Sequence, residues 1–504
     1  MSKRRKVGFN QPVFVRREAN PRQVDLRGIA RMAMAKYGFV SVFPPKVLAK
    51  TQELDEELPR KEERQVKDLR HLLWSSIDNF DTEDLDQIEY CERSRAGEIH
   101  IKVAVADVDA YVPKNSILDQ HAQTNTTSVY TGIEIYPMLP DRLSKNLSSL
   151  PMGADRLAMV VEFAVLPKGN VRPGKIYRAL VRNKAKLVYE QVGAWLDGKG
   201  EKPKLISENH ELELQLRLQD EASQRLGKYR FEQGALELET LKTKAVIKDE
   251  KVLGLYVVED DRAKRIIENF MIGANGTMST LLEKSGRPTI QRVVRVPKYW
   301  KEIVEVAREK HTKLPNRPDA SALSKFLDKE RLNDPERFPD LSLAIVKLLG
   351  PGEYVLYDKR NPIGHFCMAV TSYTHSTAPN RRYPDLIIQR LVKAALTNAV
   401  SPYQKEELAE LAEWCTDREH AAKKVERFVT KAEGAVLLAG RIGETFDAII
   451  TGASDKGVYA RLIDPPVEGK LVGQTKRILV GQKLQVKLVN LDPYEGYVDF
   501  VVSR

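Results

Sequence analysis

SIDNFDTEDLDQIEY, residues 76–90, sets six acids (Asp78, Asp81, Glu83, Asp84, Asp86 and Glu89) within twelve residues of a chain in which 81 Lys and Arg outnumber 70 Asp and Glu. Side chains at i and i+2 of an extended segment project to one face. In DLD, Asp84 and Asp86 are therefore expected to point together, with Leu85 turned into the core. Two carboxylates on one face repel unless something positive lies between them, and a hard divalent cation with oxygen ligands meets that cost. Asp78, across the turn-prone segment 79–82, is placed to swing in as a third ligand. An EF-hand loop counted from Asp78 fits at its first, ninth and twelfth positions, Asp78, Asp86 and Glu89. It fails at the third, Phe80, and at the sixth, where Glu83 stands in place of the glycine that the sharp turn requires. On composition alone, a solvated acidic turn is an equal alternative.

The rest of the chain bounds that choice. Its 504 residues exceed one ordinary core, and about 100 to 200 residues per domain predicts two to four units. With 42% hydrophobic and 30% charged residues the balance is that of a globular protein. No apolar run approaches the roughly 20 residues that span a bilayer, so no membrane association is expected. The N-terminus MSKRRKVGFNQPVFVRR lacks the apolar block of a secretory signal. Cys91, Cys367 and Cys415 are odd in number and far apart, which disfavours disulfides and zinc and predicts a cytoplasmic protein. The net charge of +11 favours polyanionic partners, although alone it is as consistent with solubility.

An α+β organisation follows from the patterning. Residues 1–24 read as a basic flexible tail. Residues 25–68 read as a small helical region, a cap or a helix-turn-helix, with Asp25 as N-cap and Gly38 ending the first helix. From 69 to 187 come short β-rich runs such as IHIKVAVADV, SVYTGIEIYPML and RLAMVVEFAVL. Helical periodicity dominates 208–226, 263–283, 385–399 and 403–440, and 297–350 is mixed and punctuated by proline. The last 65 residues show five short strands with a glycine at nearly every joint, the layout of an OB-type barrel. With nine basic and eight acidic residues from Arg441 onward, nucleic-acid binding there would lean on Phe446, Tyr459 and Phe500, or these would simply fill the barrel.

WSSIDNFDTEDLDQIEY (74–90), IHIKVAVADVDAYVPKNSILDQHA (99–122), TSVYTGIEIYPMLPDRLSKNLSSL (127–150), IIENFMIGAN (266–275) and YTHSTAPNRRYPDLIIQRL (373–391), in this order, resemble the catalytic domain of the ribonuclease II/R family, the RNB domain. The C-terminal segment resembles the S1-type RNA-binding domain of that family. The resemblance implies an RNB catalytic domain over 69–438 and an S1-type OB-fold barrel over 439–504. It also implies magnesium-dependent hydrolysis of single-stranded RNA from the 3′ end, manganese being a possible substitute, with release of nucleoside 5′-monophosphates by a monomer. By position it assigns the metal to Asp78, Asp84 and Asp86, catalysis to Asp86, Gln87 and Arg381, and substrate contacts to Tyr130, Arg381, Arg382, Glu268 and Glu426.

Chemistry supports these roles. Phosphodiester hydrolysis builds charge on the attacking and leaving oxygens, which two metals about 4 Å apart can stabilise. Arg381 and Arg382 supply guanidinium donors suited to phosphate. Pro384 suits N1 of the helix DLIIQRLVKAAL, whose amides would face the same anion. His375, a lone histidine among hydroxyls, is expected to be structural, and Asp107 and Asp109 are as well explained as capping or turn residues.

Two departures from the family pattern stand out. The motif usually ends DLDD, and here Gln87 takes the last place, with no negative charge and no capacity to accept a proton. Asp81 or Glu89 then compensates, or the protein is an RNA-binding RNB scaffold with impaired catalysis. The 68 residues preceding the β-rich region cannot hold the two cold-shock domains common in the family. Substrate access would then be shaped by the helical segment and the barrel. A DNA-binding regulator using the N-terminal helices is disfavoured by the lack of a recognition-helix pattern.

Overall fold

The computed structural model describes residues 24–55, 66–239, 242–248, 251–258, 261–335, 337–454, 457–473, 478 and 480–503. The expected basic tail, apart from Val24, and most of the charged segment around Pro59 lie outside the described residues.

Alternating and continuous apolar runs build one central sheet. Its strands are β1 (Lys67–Asp68), β2 (Trp74–Asp78), β3 (Gln87–Arg93), β4 (Ile99–Ala106), β7 (Asp155–Val165) and β8 (Val171–Val188). Their order is β1-β8-β2-β3-β4-β7, and β7 also pairs with β8, so the sheet curls back on itself. β1 lies just ahead of the expected boundary at 69. SVYTGIEIYPML yields only a minimal hairpin, β5 (Val129–Tyr130) against β6 (Ile135–Tyr136).

The pairing of β2 and β3 is confined to Ser75 opposite Glu89. Beyond it, the Cys91 amide and carbonyl are satisfied by the Gln215 side chain at 2.9 and 2.6 Å. Cys91 is on the far side of that pair, and on the near side, toward the ends that carry Asp78 and Gln87, the two strands make no further ladder pair and splay apart. The helix Arg262–Ser285, capped by the Asp261 carboxylate on the Lys264 amide, covers the sheet. Gly273 allows this close approach, since a Cβ there would lie 2.7 Å from the Phe163 ring.

The helix Tyr383–Leu396 is buried on nearly all sides, as its uniformly apolar sequence requires. Its few polar side chains are all engaged. Gln389 bridges the Asp109 amide and the Ala106 carbonyl, and Arg390 bonds Asp109 Oδ1 (2.9 Å), Asp119 Oδ1 (2.8 Å), the Tyr403 hydroxyl (2.7 Å) and the Val112 carbonyl (2.6 Å). Asp107 pairs with Arg178 and Lys393. Asp107 and Asp109 are thus clamps on this helix. Removing Arg390, which is 4% exposed, would take from the buried Asp119 its only charged partner among the described residues, leaving it the Tyr383 hydroxyl and the Asn115 amide, and one of two from Asp109. Arg390→Met is expected to cost about 3 to 5 kcal/mol in urea unfolding, and a loss below about 1 kcal/mol would show the network to be dispensable.

One expectation is corrected and two open alternatives are narrowed. Residues 297–350 are not mixed but form the helices Trp300–Glu309, Ala320–Asn333 and Phe338–Leu349 around a core of their own. The N-terminal helices Leu26–Lys36 and Pro45–Gln52 pack onto the rest of the chain, as a cap would. The first buries Ile29, Ala33 and Met34 against Val425, Phe428 and Val429 of the long helix Lys405–Leu437, and Val47 of the second joins the main core. The C-terminal segment is the expected closed five-stranded barrel, but Phe446 and Phe500 are 6% and 0% exposed and fill its interior, so they are closed to bases. Among the described residues no helix is long and apolar enough to cross a membrane.

Candidate active site

Where β2 and β3 splay, a cavity of about 520 Å3 opens between the sheet, the helix Arg262–Ser285 and the segment leading into Tyr383–Leu396. Asp78, Asp84, Asp86, Gln87, Tyr130, Glu268, Arg381 and Arg382 all line it, so eight of the nine expected site residues meet in one place. Glu426 does not line it. It lies close to the Tyr130 backbone, outside the cavity wall.

The acidic residues arrive differently from the extended geometry expected of DLD. Residues 81–86 are irregular, and β3 begins only at Gln87. Leu85 is nonetheless buried, held by its amide on Ser149 Oγ at 2.9 Å, and this anchors the aspartates on either side of it toward the cavity. Asp86 is 3% exposed and Asp78 7%. Burial pushes the Asp86 carboxyl up to about 7 against the opposing pull of Arg381, and burial raises Asp78 to about 6. Arg381 Nε donates to Asp86 Oδ2 at 2.6 Å, and the Tyr130 hydroxyl donates to Asp84 Oδ2 at 3.1 Å.

Asp86 Oδ1 and Asp78 Oδ2 are buried with no partner. Two orphaned carboxylate oxygens in one cavity are what a hard cation would satisfy, so the donor set fits magnesium. The cage is nevertheless not closed, since among the described residues no three acidic, histidine or cysteine side chains converge at metal-binding spacing. Closing it requires Asp84 to turn from Tyr130 and the cation to share Asp86 with Arg381.

The basic half is held rigidly. Arg382 Nη2 bonds Asp385 Oδ1 at 2.7 Å, and that same oxygen accepts the Ala378 amide at 2.9 Å. Pro384 occupies N2, one position later than expected, and the first helical amides are not free for an anion. The Tyr383 amide bonds the Thr126 carbonyl at 2.8 Å and the Asp385 amide bonds the Arg382 carbonyl at 3.2 Å. Phosphate recognition therefore falls to the guanidinium groups. His375 also lines the cavity, with Nδ1 at 2.8 Å from the Tyr354 hydroxyl. Burial, reinforced by Arg382 and Arg292, holds it well below its usual pKa, so it stays a neutral structural residue as expected.

The two proposed substitutes for the missing aspartate separate cleanly. Asp81 is exposed on the turn and outside the cavity wall. Glu89 is wholly buried with both carboxylate oxygens unpartnered, and it lies two residues along β3 on the same face as Gln87. Burial, then the nearby Asp78, drives its pKa well above the usual carboxylate range. Tyr189, Arg230, Tyr373 and Asn275 also line the cavity. No spacing pattern marked Tyr189 or Arg230, because each reaches the site from a different helix far along the chain.

The sequence profile of the RNB domain matches residues 66–398, and that of the C-terminal S1 domain of RNase II-type exonucleases matches 444–503. Ribonuclease R of Aquifex aeolicus is 32% identical over 443 residues, which cover 86% of this chain and 61% of that protein. The chain likewise spans 61% of the length of ribonuclease R 1 of Lactococcus lactis. Mycoplasma genitalium RNase R, solved with ribose-methylated single-stranded RNA, superposes with a TM-score of 0.85 at 24% identity over 95% of this chain and 78% of that one, a likeness of fold. Yeast Ssd1, described as a pseudonuclease, shares the fold more distantly, with a TM-score of 0.70 at 15% identity over 94% of this chain and 57% of that one. With two thirds of its length matched by the RNB domain and its end by the S1 domain of the RNase II type, this chain belongs to the RNB family.

Proposed function

We propose that this chain is a magnesium-dependent 3′-to-5′ exoribonuclease that hydrolyses single-stranded RNA and releases nucleoside 5′-monophosphates. The observation that carries this reading is the pair of buried, unpartnered oxygens, Asp78 Oδ2 and Asp86 Oδ1, on two aspartates that line one cavity with Arg381. When bound there, magnesium supplies Lewis-acid stabilisation of charge on the phosphate oxygens. Asp78, Asp84 and Asp86 would hold it.

The chain's own residues do the rest. Arg381 is oriented by its Nε bond to Asp86, and its two terminal nitrogens make no hydrogen bond among the described residues, which leaves them for a scissile phosphate. Arg382, pinned by Asp385, adds a second fixed positive charge. Tyr130, 37% exposed and steadied by its hydroxyl bond to Asp84, presents a ring on which the terminal base can stack. The amide of Gln87 can orient water but cannot take its proton.

The test is a 5′-labelled single-stranded RNA incubated with magnesium. Progressive shortening from the 3′ end that a chelator stops supports the proposal, and tight binding without shortening overturns it. The second reading, an RNA-binding scaffold with impaired catalysis, rests on Gln87. The three aspartates that line the cavity are all present without a fourth, and the Glu89 carboxyl behind Gln87, held by burial toward its protonated form, brings no charge in its place. Gln87→Asp is therefore expected to raise the rate by less than about tenfold, the scale of an outer-shell change at a metal site, while lowering the magnesium concentration required. A gain of a hundredfold or more would favour the impaired reading.

A further inference from the structure

A second cavity, about 630 Å3, adjoins the first and shares Arg230, Leu236 and Glu268 with it as common wall. Its floor lies between the helices His210–Glu232 and Arg262–Ser285, and it reaches solvent past the exposed Gln224, Lys228 and Arg265. Its volume is in the usual range of small-ligand sites.

Arg230 stands at the junction. Its Nη1 donates to Asn269 Oδ1 at 2.7 Å and lies 3.7 Å from Glu268 Oε1, while its Nε is buried without a partner. A buried guanidinium N–H left unsatisfied is costly unless something accepts from it, and a phosphate oxygen passing between the cavities would do so. Phe231 and Leu236 offer apolar surface for a base.

We propose that this second cavity is the binding and exit site of the nucleoside 5′-monophosphate product, with Arg230 receiving its phosphate. The inference rests on the exonuclease reading. After each cleavage the shortened RNA must advance into the catalytic cavity along the path by which the lost nucleotide came. A product that left by that path would have to displace the RNA, and a side opening removes the conflict. The lining is electrically balanced, with five basic and five acidic side chains, which holds a dianion weakly enough to let it go.

Gly227 provides the test. It lies in mid-helix on the cavity wall, and a Cβ added there meets only Asn269 Nδ2 at 3.7 Å, so a large side chain would fill the cavity without strain in the backbone. With enzyme in excess over RNA, Gly227→Phe is expected to remove the first nucleotide within about twofold of the wild-type rate. Its steady-state turnover should fall about tenfold, because release then limits the cycle. Adenosine 5′-monophosphate, titrated calorimetrically into the full chain without RNA, should bind Arg230→Gln about tenfold more weakly than wild type. Equal steady-state rates for Gly227→Phe and wild type, or equal loss in the first turnover and at steady state, would overturn the exit role. If the wild type cleaves nothing, the exonuclease reading fails by itself. The titration then still decides the cavity's ligand: unchanged binding in Arg230→Gln, or no binding to wild type, overturns the site.

Discussion

Asp86→Asn is expected to remove the 3′-to-5′ activity, lowering kcat on the order of a thousandfold, the scale of losing one preorganised group from the charge that develops in a transition state. The substitution is nearly isosteric at a position 3% exposed, so packing is preserved. What changes is charge: the orphaned Oδ1 no longer offers a carboxylate to a cation, and Arg381 keeps at most a neutral amide oxygen in place of its ion pair. RNA binding should be kept or strengthened, since one negative charge near the phosphates has gone. Filter binding of RNA beside the cleavage assay separates loss of chemistry from loss of fold.

A pH dependence accompanies this result. A protonated carboxyl does not ligate a cation, and the folded values of about 6 for Asp78 and about 7 for Asp86 lie above the ordinary aspartate range. Magnesium affinity should therefore climb as pH rises through 6 and 7 and flatten above, with proton release on binding. Calorimetric titrations at pH 5.5 and 8 in buffers of different ionisation enthalpy measure both effects. A pH-independent affinity would show that these two groups do not hold the metal.

The second large effect is expected at Arg381. Arg381→Ala removes the terminal nitrogens offered to the scissile phosphate and leaves Asp86 Oδ2 without its 2.6 Å donor, so kcat/KM should fall by about a hundredfold or more. Arg381→Lys should recover little of this. A lysine ammonium is a single point of charge, whereas the guanidinium bonds Asp86 through Nε while turning two further donors to the anion. Full activity in Arg381→Lys would reduce the role of this residue to bulk charge.

Much of this architecture was legible locally. The capped, amphipathic or uniformly apolar runs marked the helices, and the alternating runs marked the central strands. The glycine-jointed C-terminal strands marked the barrel. Repulsion within DLD left a cation site and a solvated acidic turn as equal alternatives, and its aspartates line one cavity. Its backbone geometry was misjudged, because an i, i+2 argument presumes a strand, and residues 81–86 are instead shaped by long-range anchors such as Ser149. The amides at the start of the helix Tyr383–Leu396 read as free for phosphate in the sequence, but that of Tyr383 is taken by Thr126, far away in the chain, and that of Asp385 by Arg382. Phe446 and Phe500 show the same limit, since an aromatic side chain in a strand reads alike whether it faces a base or a barrel interior.

The order and chemistry of the motifs by themselves determined the family, the paired acidic and basic character of the site and the anomaly at Gln87, because side-chain type and short-range spacing are properties of the chain alone. Tertiary structure decided which of those groups are buried, which oxygens lack partners and which substitute stands behind Gln87. Arg381 and Asp86 are 295 residues apart yet share one hydrogen bond, and only folding sets the desolvation that makes that pairing matter. The second cavity arises in the same way. Two helices whose sequences carry no common motif enclose it, and Arg230 acquires its unsatisfied nitrogen only where they meet.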